Sequence, residues 1–97
     1  MKNINKLNKS QIVINILCNY SEKDFDSIIS VKDNKYLLLL LLKNYKCLNR
    51  EKIKVMFNIG SDNSINYNIK KAEEKLLINK EFRESYFEIE KYLEEVI

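Results

Sequence analysis

The sequence predicts an all-α fold, a compact bundle of about six helices that contains a helix-turn-helix and no wing. Three observations carry that expectation. Glycine occurs once and proline not at all in 97 residues, so the chain lacks the turn residues that a sandwich or barrel of short strands needs. Its apolar residues recur at offsets of three and four, which is the spacing of one helix face. The length suits one domain with a single core. Residues 1–8 read as a polar leader and residues 9–97 as the single helical domain.

The elements follow in order. Ser10 can cap a helix running to about Tyr20, with Ile12, Val13, Ile16, Leu17 and Cys18 forming a wide apolar stripe. Ser21, with Asp24 three residues on, resembles an N-cap opening a short helix whose Phe25, Ile28 and Ile29 face inward. Val31–Lys35 reads as a short polar connection, and Asp33 or Asn34 can cap a third helix over about 34–46. That helix is apolar nearly all round at Tyr36–Leu42, which predicts the most buried element of the fold. Its seven apolar residues, bounded by Lys35 and Lys43, cannot span a bilayer. Asn49 caps a fourth helix with Ile53, Met56 and Phe57 inward, and Asn58–Ser61 is a tight turn at the only glycine. A fifth helix over 62–78 carries Ile65, Ile69, Ala72 and Leu76 on one face. Asn79 caps a last helix that keeps Phe82, Tyr86, Ile89 and Leu93 at helical spacing.

Charge and cysteine usage narrow the function. Residues 1–72 hold 13 Lys or Arg against 6 Asp or Glu, a balance of +7; residues 73–97 hold 4 against 8, a balance of −4. Such polarity suits one face near phosphate and an opposite face in solvent. Cys18 and Cys47 sit in apolar patterns with no histidine in the chain and no C-x-x-C pair, so two reduced core thiols are expected rather than a zinc site or a thiol–histidine enzyme. Met1–Lys9 lacks an apolar stretch, so no signal peptide is expected. The carboxylates Glu73, Glu74 and those of 88–95 fall beside lysines on helix exteriors, the pattern of a solvated surface. No nucleophile with an evident base can be named, so the chain reads as a non-enzyme without metal or cofactor.

The most informative stretch is Phe57–Leu76. A helix end, a turn and a second helix follow one another, and the second opens with Ser61, Asp62, Asn63 and Ser64. Short hydrogen-bonding side chains on an exposed first turn, flanked by lysines, are what a helix needs to enter a DNA major groove. Asp62 suits the cytosine amine and Asn63 the adenine edge, while Ser64 suits a base or a phosphate. Asn66 and Tyr67 lie off the apolar face and join the base-facing set; the other tyrosines fit helix borders. Lys43, Lys46, Lys52, Lys54, Ser61, Lys70 and Lys71 are the candidate phosphate contacts, and Lys32 and Lys35 the candidate loop contacts. The same corner and the same Ser-Asp-Asn-Ser run also occur as ordinary capping chemistry in small bundles.

These residues resemble the C-terminal DNA-binding domain of the bacterial chromosomal replication initiator DnaA, of the Trp-repressor-like helix-turn-helix group. That family shows an I-x-x-x-F helix, then G-G-R-D-H-T-T-V. Ile53 and Phe57 keep the first spacing, and Gly60-Ser61-Asp62-Asn63-Ser64-Ile65 stands where the family has G-R-D-H-T-T, with the turn one residue longer. Gln11–Tyr20, Ser21–Ser30 and Tyr36-Leu37-Leu38 match the family's earlier helices in order, and Asn79-Lys80-Glu81-Phe82-Arg83 matches the start of its last one. In this register the family's Arg is Ser61, its His is Asn63, and its two Thr are Ser64 and Ile65. The family's basic loop, whose Arg enters the minor groove, is reduced to Val31–Lys35. The chain is therefore not expected to bind the family's usual box.

The resemblance and the residues together imply a stand-alone, sequence-specific double-stranded DNA-binding protein. It would act as a replication or transcription accessory in a bacterial cytoplasm, associated with nucleoid or plasmid. No G-x-x-x-x-G-K-[ST] is present, so no ATPase activity is expected. A homodimer or a partner protein, engaged through the acidic last helix, would supply added specificity; neither a membrane nor a small-molecule substrate is expected. The alternative is a protein-interaction module from a phage or mobile element, using the same fold to bind or inhibit a host protein.

Overall fold

The computed structural model describes the backbone of residues 6–96 and the side chains of residues 9–96. Six helices follow in order: α1 (Lys6–Ser21), α2 (Phe25–Ser30), α3 (Lys32–Asn44), α4 (Arg50–Phe57), α5 (Asp62–Ile78) and α6 (Lys80–Val96). No strand occurs among the described residues. The chain is the all-α bundle that its composition predicts.

The centre is α3, which packs against α1, α2, α5 and α6. Tyr36 and all six leucines from Leu37 to Leu42 are buried. Val13 and Leu17 of α1, Ile28 of α2, Ile65, Ile69 and Ala72 of α5, and Phe82, Tyr86, Ile89 and Leu93 of α6 complete the core with Ile53 and Phe57 of α4. Each large apolar side chain so buried contributes roughly 1.5–3 kcal/mol over its exposed state. Ile12, Ile16, Met56 and Leu76 pack on the margin of this core rather than within it.

The first three helices depart from the sequence reading at their ends. The leader gives way to helix at Lys6, so Ser10 lies inside α1 rather than at its start; residues 1–5 lie outside the described residues. Ser21 closes α1 instead of opening α2. Glu22 takes the left-handed conformation (φ 56°), and the Glu22 and Lys23 N–H groups donate to the carbonyls of Asn19 and Cys18. With those two residues committed to ending α1, Asp24 becomes the cap of α2. Its carboxylate accepts the Ser27 N–H at 2.9 Å, and that bond holds its pKa below the usual carboxylate value.

Val31 alone separates α2 from α3. The expected connection over 31–35 is instead the first turn of α3, and neither Asp33 nor Asn34 is its cap. Asp33 is used otherwise: its carboxylate accepts from Lys75 of α5 at 2.6 Å. At the other end α3 stops at Asn44, two residues earlier than expected. Lys46 turns left-handed (φ 60°), and Cys47 N–H closes the helix on the Leu42 carbonyl at 2.9 Å.

The second half matches the expected boundaries. Asn49 caps α4, accepting from Lys52 N–H at 3.1 Å, and Asn79 caps α6, accepting from Phe82 N–H at 2.9 Å. Between α5 and α6 only Asn79 intervenes. Arg83 reaches back across this joint and donates to the carbonyls of Leu76 and Leu77 at 3.1 and 2.9 Å, satisfying acceptors that a helix end leaves open.

Candidate nucleic-acid interface

The turn between α4 and α5 is built from backbone hydrogen bonds. Asn58 sits in the left-handed region (φ 55°, ψ 47°), with Asn58 N–H on the Val55 carbonyl at 3.4 Å and Ile59 N–H on the Lys54 carbonyl at 2.9 Å. Asparagine tolerates this conformation better than most residues. The lone glycine is not the residue that turns. Gly60 has no positive φ, and a Cβ there would meet nothing within 4 Å. Ser61 then starts α5: its hydroxyl accepts the Ser64 N–H at 3.2 Å and donates to the Ser64 hydroxyl at 3.2 Å.

Beneath this corner α4 packs on α5, with Ile53 and Phe57 in the same core as Ile65, Ile69 and Ala72. The opposite side of α5 faces solvent. Asp62, Asn63, Ser64, Asn66 and Tyr67, the five candidate base-facing residues, are all exposed, Tyr67 to 60%. Helical spacing places Asn63, Tyr67 and Lys70 on one line opposite the buried stripe, with Asp62 and Asn66 on the adjacent line. Ile65, which the resemblance to DnaA set against a threonine, is fully buried. It cannot face a ligand.

The lysines divide into engaged and available sets. Lys43 pairs with Glu73, and Lys71 with Glu74 at 3.5 Å. Lys71 also lies 5.5 Å over the Tyr67 ring, within cation–π range. Lys54 contacts Asp62 at 3.1 Å and Glu51 at 3.4 Å; the Asp62 hydrogen bond, ahead of all other causes, holds its ammonium pKa above the usual value. Lys46, Lys52 and Lys70 are exposed and take part in no ion pair among the described residues. Lys32 and Lys35 belong to the first turn of α3 rather than to a loop, and Lys32 rests 5.9 Å from the Tyr36 ring centre.

Two positions were not among the sequence candidates. Arg50 is exposed in the first turn of α4 and has no ion pair among the described residues; its basic charge in the helix-turn-helix segment was signal enough. Lys75, by contrast, is taken up by Asp33. Ser61 is occupied as the cap of α5, although its hydroxyl stays exposed.

Cys18 and Cys47 are free and half-buried, at the edge of the core rather than inside it. Burial is the chief cause that raises both thiol pKa values, so they rest as thiols. No three His, Cys, Asp or Glu side chains converge to hold a metal among the described residues, and no helix there is long and apolar enough to cross a membrane. A groove of about 550 Å³ between α1 and α6 is lined by Ile16, Asn19, Tyr20, Tyr92, Glu95 and Val96. None of these residues belongs to α4 or α5.

Searches of family models, curated proteins and solved structures find no match to this chain.

Proposed function

We propose that the chain is a sequence-specific double-stranded DNA-binding protein that presents the first two turns of α5 to the major groove. One observation carries this reading. The leading half of α5 is solvent-facing along Asn63, Tyr67 and Lys70, while its other side is fixed to the core by Ile65, Ile69 and Ala72. A rigid helix with short polar side chains at its exposed start is the usual means of direct base readout. Arg50, Lys46, Lys52 and Lys70 supply available charge for phosphate; Lys71 adds to it while sharing with Glu74.

The resemblance to the DnaA C-terminal domain supports the same reading, with its register revised. The burial of Ile65 favours an alignment without an inserted residue. Asn58 and Ile59 then stand at the family's two glycines, Gly60 at its Arg and Ser61 at its Asp. Asp62 stands at its His, Asn63 and Ser64 at its two Thr, and Ile65 at its Val. The left-handed Asn58 fits a glycine position. The loss of that Arg, Asp and His implies a target sequence different from the family's; the role proposed is that of an accessory in replication or transcription, without ATPase activity.

Fluorescence anisotropy with a random-sequence duplex tests the proposal. Salt-sensitive, sub-micromolar binding at about 50 mM salt is expected, since phosphate contacts dominate affinity there. Lys70→Glu with Lys71→Glu should weaken it by about tenfold or more. No binding to any duplex at that salt overturns the reading.

The alternative, a module for a protein partner, draws on exposed apolar side chains near the acidic end. Leu77 and Ile78 are 77% and 83% exposed, and Phe87, Tyr92 and Val96 are also open. On α6 these do not form one patch, because Phe87 lies roughly 140° round the helix from Tyr92 at about 100° per residue. A scattered set is the weaker signature of an interface. A homodimer or partner through α6 remains compatible with DNA on α5, since the two surfaces use different residues.

A further inference from the structure

We propose that Lys54 is a positioning residue that holds Asp62 across the α4–α5 turn, and not an anchor for phosphate. The inference rests on the DNA-binding reading above. Lys54 grips the turn twice. Its carbonyl accepts the Ile59 N–H at 2.9 Å, and its ammonium lies 3.1 Å from the Asp62 carboxylate and 3.4 Å from that of Glu51. Its side chain is only 27% exposed, whereas that of Asp62 is 59% exposed. The cation is thus the inner member of the pair and the carboxylate the outer one.

The placement suits both helix ends. Lys54 stands in the last turn of α4 and Asp62 in the first turn of α5, so each charge complements its own helix dipole as well as its partner. A bare carboxylate at the leading turn of a helix that approaches phosphates would repel them. Lys54 offsets that charge and fixes where the carboxylate points. What Lys54 contributes to DNA binding therefore runs through Asp62.

A double-mutant cycle separates this from a direct contact. Lys54→Met should weaken duplex binding by about fivefold in the wild-type background, while in an Asp62→Asn background the same change should cost less than about twofold. Lys54→Arg should keep near wild-type affinity. A phosphate anchor would behave otherwise: its loss would lower the slope of log affinity against log salt by about 0.9 in both backgrounds. Equal losses in both backgrounds overturn the proposal. A second measurement needs no DNA: NMR titration of the Lys54 ammonium, which should deprotonate at lower pH in Asp62→Asn than in wild type. No change in that titration also overturns it. Failure of the wild type to bind any duplex would instead remove the DNA-binding reading, while the titration still judges the Lys54–Asp62 pair.

Discussion

The side-chain amide of Asn44 donates to the phenol oxygen of Tyr86 at 2.6 Å, joining the end of α3 to the middle of α6. Tyr86 is otherwise buried in the core. Burial, the largest cause, lifts its pKa to about 12; the Asn44 bond acts in the opposite direction, and Glu90 adds to the rise. A phenol whose folded pKa exceeds its unfolded value of about 10 contributes its full stability below pH 10 and loses it as pH climbs towards 12. Urea unfolding from pH 8 to 11.5 should therefore show stability falling above pH 10, and Tyr86→Phe should lessen that fall, with Tyr20 and Tyr45, whose phenols are also pushed up by burial, carrying the remainder. At neutral pH the substitution should cost about 0.5–1.5 kcal/mol for the lost bond, because the exposed Asn44 can turn to water.

Substitutions at the turns should invert the usual expectation for glycine. Gly60 has neither a positive φ nor a neighbour that a methyl group would strike. Gly60→Ala should then be neutral or stabilise the fold by up to about 1 kcal/mol, through the unfolded chain. Lys46 is the opposite case, a lysine held at φ 60°, where an L side chain costs roughly 1–2 kcal/mol. Lys46→Gly should raise the urea midpoint. A fall in midpoint for either variant would contradict the turn geometry described above.

Arg83 should matter more than its place on the acidic helix suggests. It supplies two hydrogen bonds to the last carbonyls of α5, and bonds from a charged donor contribute about 1.5–3 kcal/mol where well sheltered. Arg83 is half-buried, so Arg83→Ala should cost about 1–2 kcal/mol in chemical denaturation. Amide exchange should quicken over 74–78 more than elsewhere. Uniform loss of protection would mean that Arg83 serves general packing instead of this helix end.

The parts of the fold that were legible from sequence share a physical trait. Asn49 and Asn79 each stand alone as a capping residue before a clear apolar stripe, so α4 and α6 begin where the residues indicate. In the first half, Ser10, Ser21, Asp24, Asp33 and Asn34 compete as caps. The choice depends on where the preceding helix stops: α1 stops at Glu22, a residue type that does not advertise a left-handed turn, and α2 at the extended Val31. Exposure of the outer edge of α5 was legible for the same reason as the buried stripe, since both follow from one periodicity. The ion pairs between elements were not. Lys54–Asp62 spans a turn and Lys43–Glu73 spans two helices, so neither obeys the three- or four-residue rule that exposes helix pairs in a sequence.

Six successive leucines, all buried, give α3 no polar side, so hydrophobicity alone would accept it at any angle of rotation about its axis. Its orientation has to be specified by what stands at its two ends. Asp33 to Lys75 at one end, with Lys43 to Glu73 and Asn44 to Tyr86 at the other, admit a single rotation. The two exposed ion pairs add little stability, yet with the Asn44–Tyr86 bond they break a rotational degeneracy that the leucine run would otherwise leave in the core. Uniqueness of the native state in this protein is thus written at the rim of its most apolar helix.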